Sequence, residues 1–440
     1  MAREFDRSGG RSVTEEVNIE HAENPSAYPP SIQAGIPKLG ETPRGWTRYP
    51  LGDLLLKVER PARLTDNQTY QLVTAKRNRG GIVAREVLRG DQIKTKTQFY
   101  VEAGDFLISN RQISHGACGL VPPQLHRAIV SNEYTAFHAK EKLEPTFLNA
   151  LMHSVYFQQT CFHSSIGVHV EKLVFRLEDW LKWAFDVPPL EEQRRIVAVL
   201  ETWDRAIDQT ERLIASKRKR FEGLLAQYAM KFHNERTEFG ALVELISERV
   251  QPGVCDVPNE STELENIEPE TGRIIGSSRV SAESALRSRF KAKDTLFGKL
   301  RPYLRKVAQP SFDGICSTEI WVLRSNPKVL NPDLLFFLVQ TQEFQATATK
   351  QSGSKMPRAD WDLVSTTPVP CPRAMDQQIR AAALLDSALQ SIHPELKRLD
   401  AHRAQKRGLM QKLLTGEWRL DGRFEPAALT SRAVLPGDAA

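Results

Sequence analysis

The sequence predicts an α+β protein built by internal duplication: two similar α/β domains separated by two long antiparallel coiled-coil helices, related by a pseudo-twofold repeat. Three observations predict it. Five separate stretches recur in the same order at an offset of about 183 to 189 residues, too collinear for chance. Two apolar patterns, one after each recurring block, step alternately by four and three residues, the 3.5-residue period of a helix packed along another helix. Between them lie short β-branched and aromatic runs punctuated by Gly, Pro and Asn, as in a compact mixed domain.

The elements follow in chain order. Residues 1–40 are polar and carry Pro25, Pro29, Pro30 and Pro37, so they read as a disordered N-terminal arm with too little apolar surface to offset ordering entropy. Residues 41–187 form the first domain. Within it "LGDLLLKVERP" from Leu51 matches "FGALVELISERVQP" from Phe239, and "GDFLIS" matches "KDTLFG", placing Asp105 over Asp294. "AIVSNEY" matches "GICSTEI", with Glu133 over Glu319, and "FLNALMHSVYFQ" matches "LLFFLVQTQEFQ".

Residues 188–233 form the central helix. Pro188 and Pro189 suit its start, and Glu191 and Glu192 complement the positive end of its dipole. Ile196, Leu200, Trp203, Ile207, Ile214, Phe221 and Leu225 set its packing face, with Thr210 and Lys217 filling two places in the repeat. About 35 residues would make a rod of roughly 50 Å, facing a partner helix and not a sheet. Residues 234–370 are the second domain and 371–416 the distal helix, which packs through Leu385, Ile392, Leu396, Leu399 and Leu413. Pro394 should bend that helix or break one of its backbone bonds. Residues 417–440 read as a C-terminal tail.

With 60 Lys and Arg against 54 Asp and Glu, the 440-residue chain carries a formal charge of +6, which permits a nucleic-acid partner without requiring one. Five scattered cysteines with no CxxC spacing argue against a disulfide framework or a zinc ribbon and for a reducing cytoplasm. No apolar run reaches membrane-spanning length. A phosphate-binding loop, a dinucleotide fingerprint, HExxH and GxSxG are all missing, so no metal site and no catalytic residue are expected. The recurring Asp105, Glu133, Asp294 and Glu319 fit turn and core hydrogen bonding as readily as catalysis.

Contact chemistry concentrates in "DTLFGKLRPYLRKV" (Asp294–Val307), a strand-like stretch in which Leu296, Phe297, Tyr303 and Leu304 would anchor Lys299, Arg301, Arg305 and Lys306. Lys293, Lys355, Arg358 and Tyr303 itself complete the second domain's DNA-binding candidates. In the first domain the candidates are Lys76, Arg77, Lys94, Lys96, Asn110, Arg111, Gln112 and His115, with Arg79 nearby. Solvated surface charge is the ordinary alternative for each alone. The run Lys217–Arg220 reads as a solvated helix face, with a phosphate contact or an acidic partner surface as the alternatives.

Several of these stretches resemble one family, the specificity (S) subunits of type I restriction-modification enzymes. "PPLEEQRRIVAVLETWDRAIDQTERLIASKRKRFEGLLAQ" looks like its central conserved helix and "QKRGLMQKLLTGEWRL" like the end of its distal conserved helix. "GKLRPYLRKVAQPSFDGICSTEIWVLR" and "HGACGLVPPQLHRAIVSNEYTAF" look like its target recognition domains, and "GETPRGWTRYPLGDLL" like its opening segment. The resemblance implies a non-catalytic subunit whose two target recognition domains read a bipartite asymmetric site in double-stranded DNA. It implies docking of two modification (M) methyltransferase subunits on the helices and association with restriction (R) subunits. S-adenosylmethionine, ATP and Mg would belong to those partners, with no cofactor on this chain and no membrane partner. A degenerate distal helix departs from the family pattern. A rival expectation is a helical scaffold whose globular domains bind protein, which predicts no salt-dependent DNA affinity.

Overall fold

A computed structural model describes residues 36–167, 173–253, 257–350 and 356–420. Of the expected arm, 1–35 lie outside the described residues, as do 421–440 of the tail. The chain forms two compact units. One contains the described residues up to Arg205 together with those from Arg403 onward, and the other is Ala206–His402.

The first unit is built on two sheets. A four-stranded antiparallel sheet has the order Leu55–Val58, Tyr134–Ala139, Phe106–Ser109, Cys118–Leu120. A five-stranded sheet has the order Pro61–Ala62, Gln98–Tyr100, Ile129–Ser131, Thr69–Ala75, Ile82–Arg89, with a single parallel pairing, Leu72 against Ile129. Helices Pro145–Leu151 and Val155–His163 cover the smaller sheet, and Phe106, Phe137, Phe147, Phe157, Trp180 and Phe185 fill the space between. Burying these aromatic side chains contributes a large share of the apolar contact between the sheet and its helices.

The second unit repeats the plan. Its four-stranded order is Val243–Ile246, Ile320–Ser325, Thr295–Gly298, Val307–Ala308. Its five-stranded order is Arg249–Val250, Arg287–Phe290, Gly314–Cys316, Glu260–Thr262, Ser278–Arg279, again with one parallel pair, Ser261 against Ile315. Helices Pro332–Leu338 and Gln342–Ala348 occupy the place of the first unit's pair. Strand order, the position of the parallel pair and the flanking helices all agree, so the duplication extends to topology. Gly52 and Gly240, aligned by sequence, explain one matched detail. Each lies in a four-residue helix pressed on a second short helix, where a Cβ would stand 3.4 Å from the Leu181 carbonyl or 3.1 Å from Ser365 Cβ.

The central helix runs Leu190–Lys231, 42 residues and about 63 Å, longer than the roughly 35 expected, and it continues through Gly223. In the first unit Ile196 and Leu200 pack with Met410 and Leu413 of the distal helix, and Lys406 pairs with Asp204. In the second unit Ile207 and Ile214 join the core that holds Leu385, Ile392, Leu396 and Leu399, while Thr210 meets His402 at 3.4 Å. Rising numbers on one helix meet falling numbers on the other within each unit, so the pairing is antiparallel. Trp203 is half-buried.

Two helix expectations need correction. Phe221, Leu225 and Tyr228 face more than a partner helix: they lie in one core with Leu334, Phe337 and Phe344, and Phe221 meets the Phe337 ring at 6.1 Å. Lys217 is not solvated either. The distal helix is interrupted at Ser391 and Ile392, between Met375–Gln390 and His393–Leu414, just ahead of Pro394. Lys217 Nζ donates to the freed Ser391 carbonyl and to the Glu395 carboxylate, each at 2.8 Å. Of the same basic run, Arg218 is half-buried, 3.7 Å from Glu270, and only Lys219 and Arg220 face solvent. Among the described residues no helix is long and apolar enough to cross a membrane.

Candidate nucleic-acid interface

In each domain the fully buried middle strand of the small sheet delivers the chain to one polar rim. In the first unit Phe106–Ser109 ends there, and the Asn110 N–H donates to the Glu133 carbonyl at 2.9 Å. The following loop closes through Ser109 N–H to the Ala117 carbonyl, at 3.0 Å, over the short turn Ile113–His115. Gly116 makes that loop possible. Its φ is +76°, and a Cβ would press within 3.1 Å of Arg79.

A second turn leans on the loop. Asn78 and Arg79 adopt left-handed backbone (φ 55° and 60°) and donate their N–H groups to the carbonyls of His115 and Gly116 at 2.7 and 3.0 Å. The structure thereby brings Lys76 and Arg77 beside Asn110, Arg111, Gln112 and His115. Lys76, Arg77 and Arg111 are exposed, while Asn110, Gln112 and His115 are half-buried. Arg79 is not a surface contact but is buried at 6% exposure. Lys94 and Lys96 are exposed on the chain entering the strand opposite Ser131, although Lys96 Nζ is engaged with the Gly90 carbonyl at 2.7 Å. Beside this rim Asn110, Asn132, Tyr134, Tyr100 and Phe99 line a cleft of about 330 Å³.

In the second unit the corresponding segment is a hairpin, not a continuous strand. Thr295–Gly298 runs out, Val307–Ala308 returns, and Gly298 N–H donates to the Lys306 carbonyl at 2.9 Å. Its tip is the turn Pro302–Leu304, flanked by Arg301 and Arg305, both left-handed (φ 51° and 50°). Such backbone costs about 1–2 kcal/mol per non-glycine residue, so the tip is held at the expense of strain. Leu296 and Phe297 are buried as expected, but Tyr303 does not anchor the core. It is 56% exposed at the tip, and Leu304 is half-buried. Arg301 N–H donates to the Pro357 carbonyl and Ala359 N–H to the Lys299 carbonyl, which lays residues 357–359 along the hairpin. Lys299, Arg301, Tyr303 and Arg358 therefore share one rim, and Arg305, at the other flank of the tip, also lines a cleft with Arg218, Glu222 and Glu270.

Three second-domain candidates fall elsewhere. Lys293 stands six residues before Lys299 at the other end of the strand, about 20 Å away in extended chain, and donates to Asp333 at 2.6 Å. Lys306 points inward to the Leu264 carbonyl at 2.7 Å, and burial lowers its pKa. Lys355 lies outside the described residues.

The recurring acids divide into two kinds. Asp105 and Asp294 are buried, accept the N–H of Glu102 and of Lys291 at 2.8 Å, and pair with Arg60 and Arg324. They fix turns. Glu133 and Glu319 sit at the rims and each takes a two-pronged arginine: Arg111 through Nε and Nη2 at 2.5 and 2.8 Å, Arg358 at 2.9 and 3.0 Å. The Arg358 hydrogen bonds hold the Glu319 carboxyl below the usual carboxylate range, and Glu319 in turn raises the Arg358 pKa. Among the described residues no three His, Cys, Asp or Glu side chains gather as a metal set. The rims thus offer cations, amides and a tyrosine, which suits hydrogen bonding to phosphates and base edges.

Residues 43–216 match the family model of the type I restriction modification DNA specificity domain. Over this stretch the chain is similar to that domain. The type I restriction enzyme EcoDI specificity subunit of Escherichia coli is 25% identical over 197 residues, which span 42% of this chain and 43% of that protein. A solved chain from work on assembly and conformational transition of the type I R-M system covers 86% of this chain and 100% of its own, at 18% identity and a TM-score of 0.52. The type I restriction-modification S subunit from M. genitalium covers 87% of this chain and 98% of its own, at 14% identity and a TM-score of 0.51. These two carry the fold. The specificity domain matched at 43–216 and the topology repeated after it agree with the family read from sequence motifs.

Two glutamines escaped that reading although both stand in the aligned "EEQ" and "DQQ". Gln193 and Gln378 are fully buried at the start of their helices. Gln193 accepts the Glu144 N–H and donates to the Lys142 and Pro188 carbonyls, and Gln378 accepts the Asn331 N–H and donates to those of Val329 and Pro372. Each ties a long helix to its own domain.

Proposed function

We propose that this chain is the DNA sequence-specificity subunit of a type I restriction-modification complex, each domain reading one half of a bipartite asymmetric site. The observation that carries this is one topology used twice with different side chains at equivalent rims. Asn110, Arg111, Gln112 and His115 stand in one domain where Lys299, Leu300, Arg301 and the Tyr303 tip stand in the other. Two copies of a scaffold with unlike contact chemistry suit an asymmetric target, since base identity is read by the donor pattern presented.

The chain itself carries no catalysis in this reading and binds no cofactor. Two modification subunits dock on its helices and transfer methyl groups from S-adenosylmethionine to adenine; restriction subunits bring ATP- and Mg-dependent cleavage. The assembly works on double-stranded DNA in the cytoplasm. Apolar ridges of the long helices left outside the cores, such as Leu213, Ile379 and Leu384, give such subunits something to cover.

The direct test is affinity of the complex of this chain with its modification subunit for duplex DNA as salt is varied. Affinity should fall steeply with rising salt, and specific duplex should outcompete random duplex by at least about a thousandfold. Equal, salt-insensitive binding of both would leave only a protein scaffold.

A further inference from the structure

Glu133 and Glu319 occupy the same place in the two domains, each in the turn before the second inner strand of the small sheet (Tyr134–Ala139 and Ile320–Ser325). Their arginines do not. The Asn110 N–H donates to the Glu133 carbonyl and the Lys299 N–H to the Glu319 carbonyl, so Arg111 corresponds to Leu300, which has no charge. Arg358 comes instead from a segment nearly forty residues past Glu319, carried in by an antiparallel bridge to Leu300. The same guanidinium–carboxylate pair is thus built twice by different routes. An exposed ion pair contributes only about 0–1 kcal/mol to folding, so stability gives little reason for building it twice.

The geometry is the same in both pairs. Each carboxylate grips the Nε and Nη2 side of the guanidinium. Among the described residues neither arginine makes another hydrogen bond that would occupy its Nη1–Nη2 end, and the Arg111 and Arg358 side chains stay 74% and 48% exposed. That end is the fork that fits O6 and N7 of guanine. The bound carboxylate offsets the positive charge, which weakens attraction to phosphate while leaving directional donors for a base edge.

We propose that Arg111 and Arg358 each read a guanine, one in each half-site, and that Glu133 and Glu319 are the positioning residues that aim them. This rests on the DNA-reading function proposed above. It goes further in naming the base, the two residues that read it and the acids that hold them.

The test is the adenine-methylation motif written in cells by the full chain with its modification subunit, compared with the variants Arg111→Ala, Arg358→Ala, Glu133→Gln and Glu319→Gln. The wild-type motif should contain a G·C pair in each half. Arg111→Ala should relax one such pair in one half and Arg358→Ala one in the other, with roughly ten- to a hundredfold loss of discrimination at that position alone. Each Glu→Gln variant should relax the same position as its arginine partner while its melting temperature holds, an effect that mere structural support would not give. The salt slope of purified complex should stay unchanged, whereas loss of a phosphate contact would reduce it by about one. A wild-type half-site without any G·C pair, or variants that weaken all positions equally, would overturn the assignment while leaving DNA reading intact. Complete absence of a motif with an active modification subunit would instead remove the DNA-reading function on which it rests.

Discussion

Lys217 stands where the repeat of the central helix calls for an apolar side chain, and its neighbours explain why a cation is there. Its ammonium satisfies the Ser391 carbonyl, released where the distal helix breaks, and the nearly buried Glu395 carboxylate. Lys217→Ala should cost about 1–3 kcal/mol by leaving the Ser391 carbonyl without a donor and Glu395 with Arg398 alone, read as a lower urea midpoint. Glu395 also carries a pH signature. The Lys217 hydrogen bond, then the charges of Lys217 and Arg398, hold its carboxyl below the ordinary range. A carboxyl with a lower pKa folded than unfolded adds stability above the unfolded value of about 4.3, and loses it as pH falls through the folded value. Stability of the wild type should therefore fall more steeply between pH 5 and 3 than that of Glu395→Gln, and parallel curves would contradict the pairing. At this scale the sequence is only partly legible. Buried strand residues such as Leu296 and Phe297 follow from hydrophobicity, but Tyr303 looks the same in composition and lies on an exposed tip. Pairs such as Arg358 with Glu319 join segments far apart in sequence, and no local pattern encodes them.

Among the elements, the long helices were the most readable because a 3.5-residue period depends only on spacing along one chain. Their ends and interruptions were less so. The central helix continues to Lys231, and the break in the distal one falls at Ser391–Ile392, two residues ahead of the proline that signalled it. Pro394 occupies the second residue of the helix that follows, where a missing N–H costs nothing since first-turn N–H groups lack helical partners. Pro394→Ala should accordingly change stability by less than about 1 kcal/mol, and a circular-dichroism gain large enough to indicate a fused helix would contradict this. The glutamines at the helix starts behave oppositely. Gln378→Ala would strand one N–H and two carbonyls away from water, and a loss of about 2–4 kcal/mol is expected in urea unfolding. Gln193→Ala should cost a similar amount in the other unit. Both were visible as a repeated residue, yet a polar side chain at a helix start looks solvent-facing until the loops that cover it are known.

Across the whole molecule the duplication was legible because each aligned block carries its own local pattern, and the four- and five-stranded sheets repeat in the two units, including the single parallel pair in each five-stranded sheet. What the sequence could not supply is which basic residues share a rim. Lys293 and Lys299 are close in sequence yet leave opposite ends of one strand, whereas Lys299 and Arg358 are distant in sequence and adjacent in the fold. Recognition by two unlike rims on one repeated scaffold is the central claim, and genome-wide mapping of methylated adenine tests it most directly. Cells expressing this chain with the modification subunit proposed for it should write a motif of two different short half-sites separated by unread bases, and cells lacking the chain should not. An active, associated modification subunit that writes no motif, or the same motif without this chain, would contradict the account.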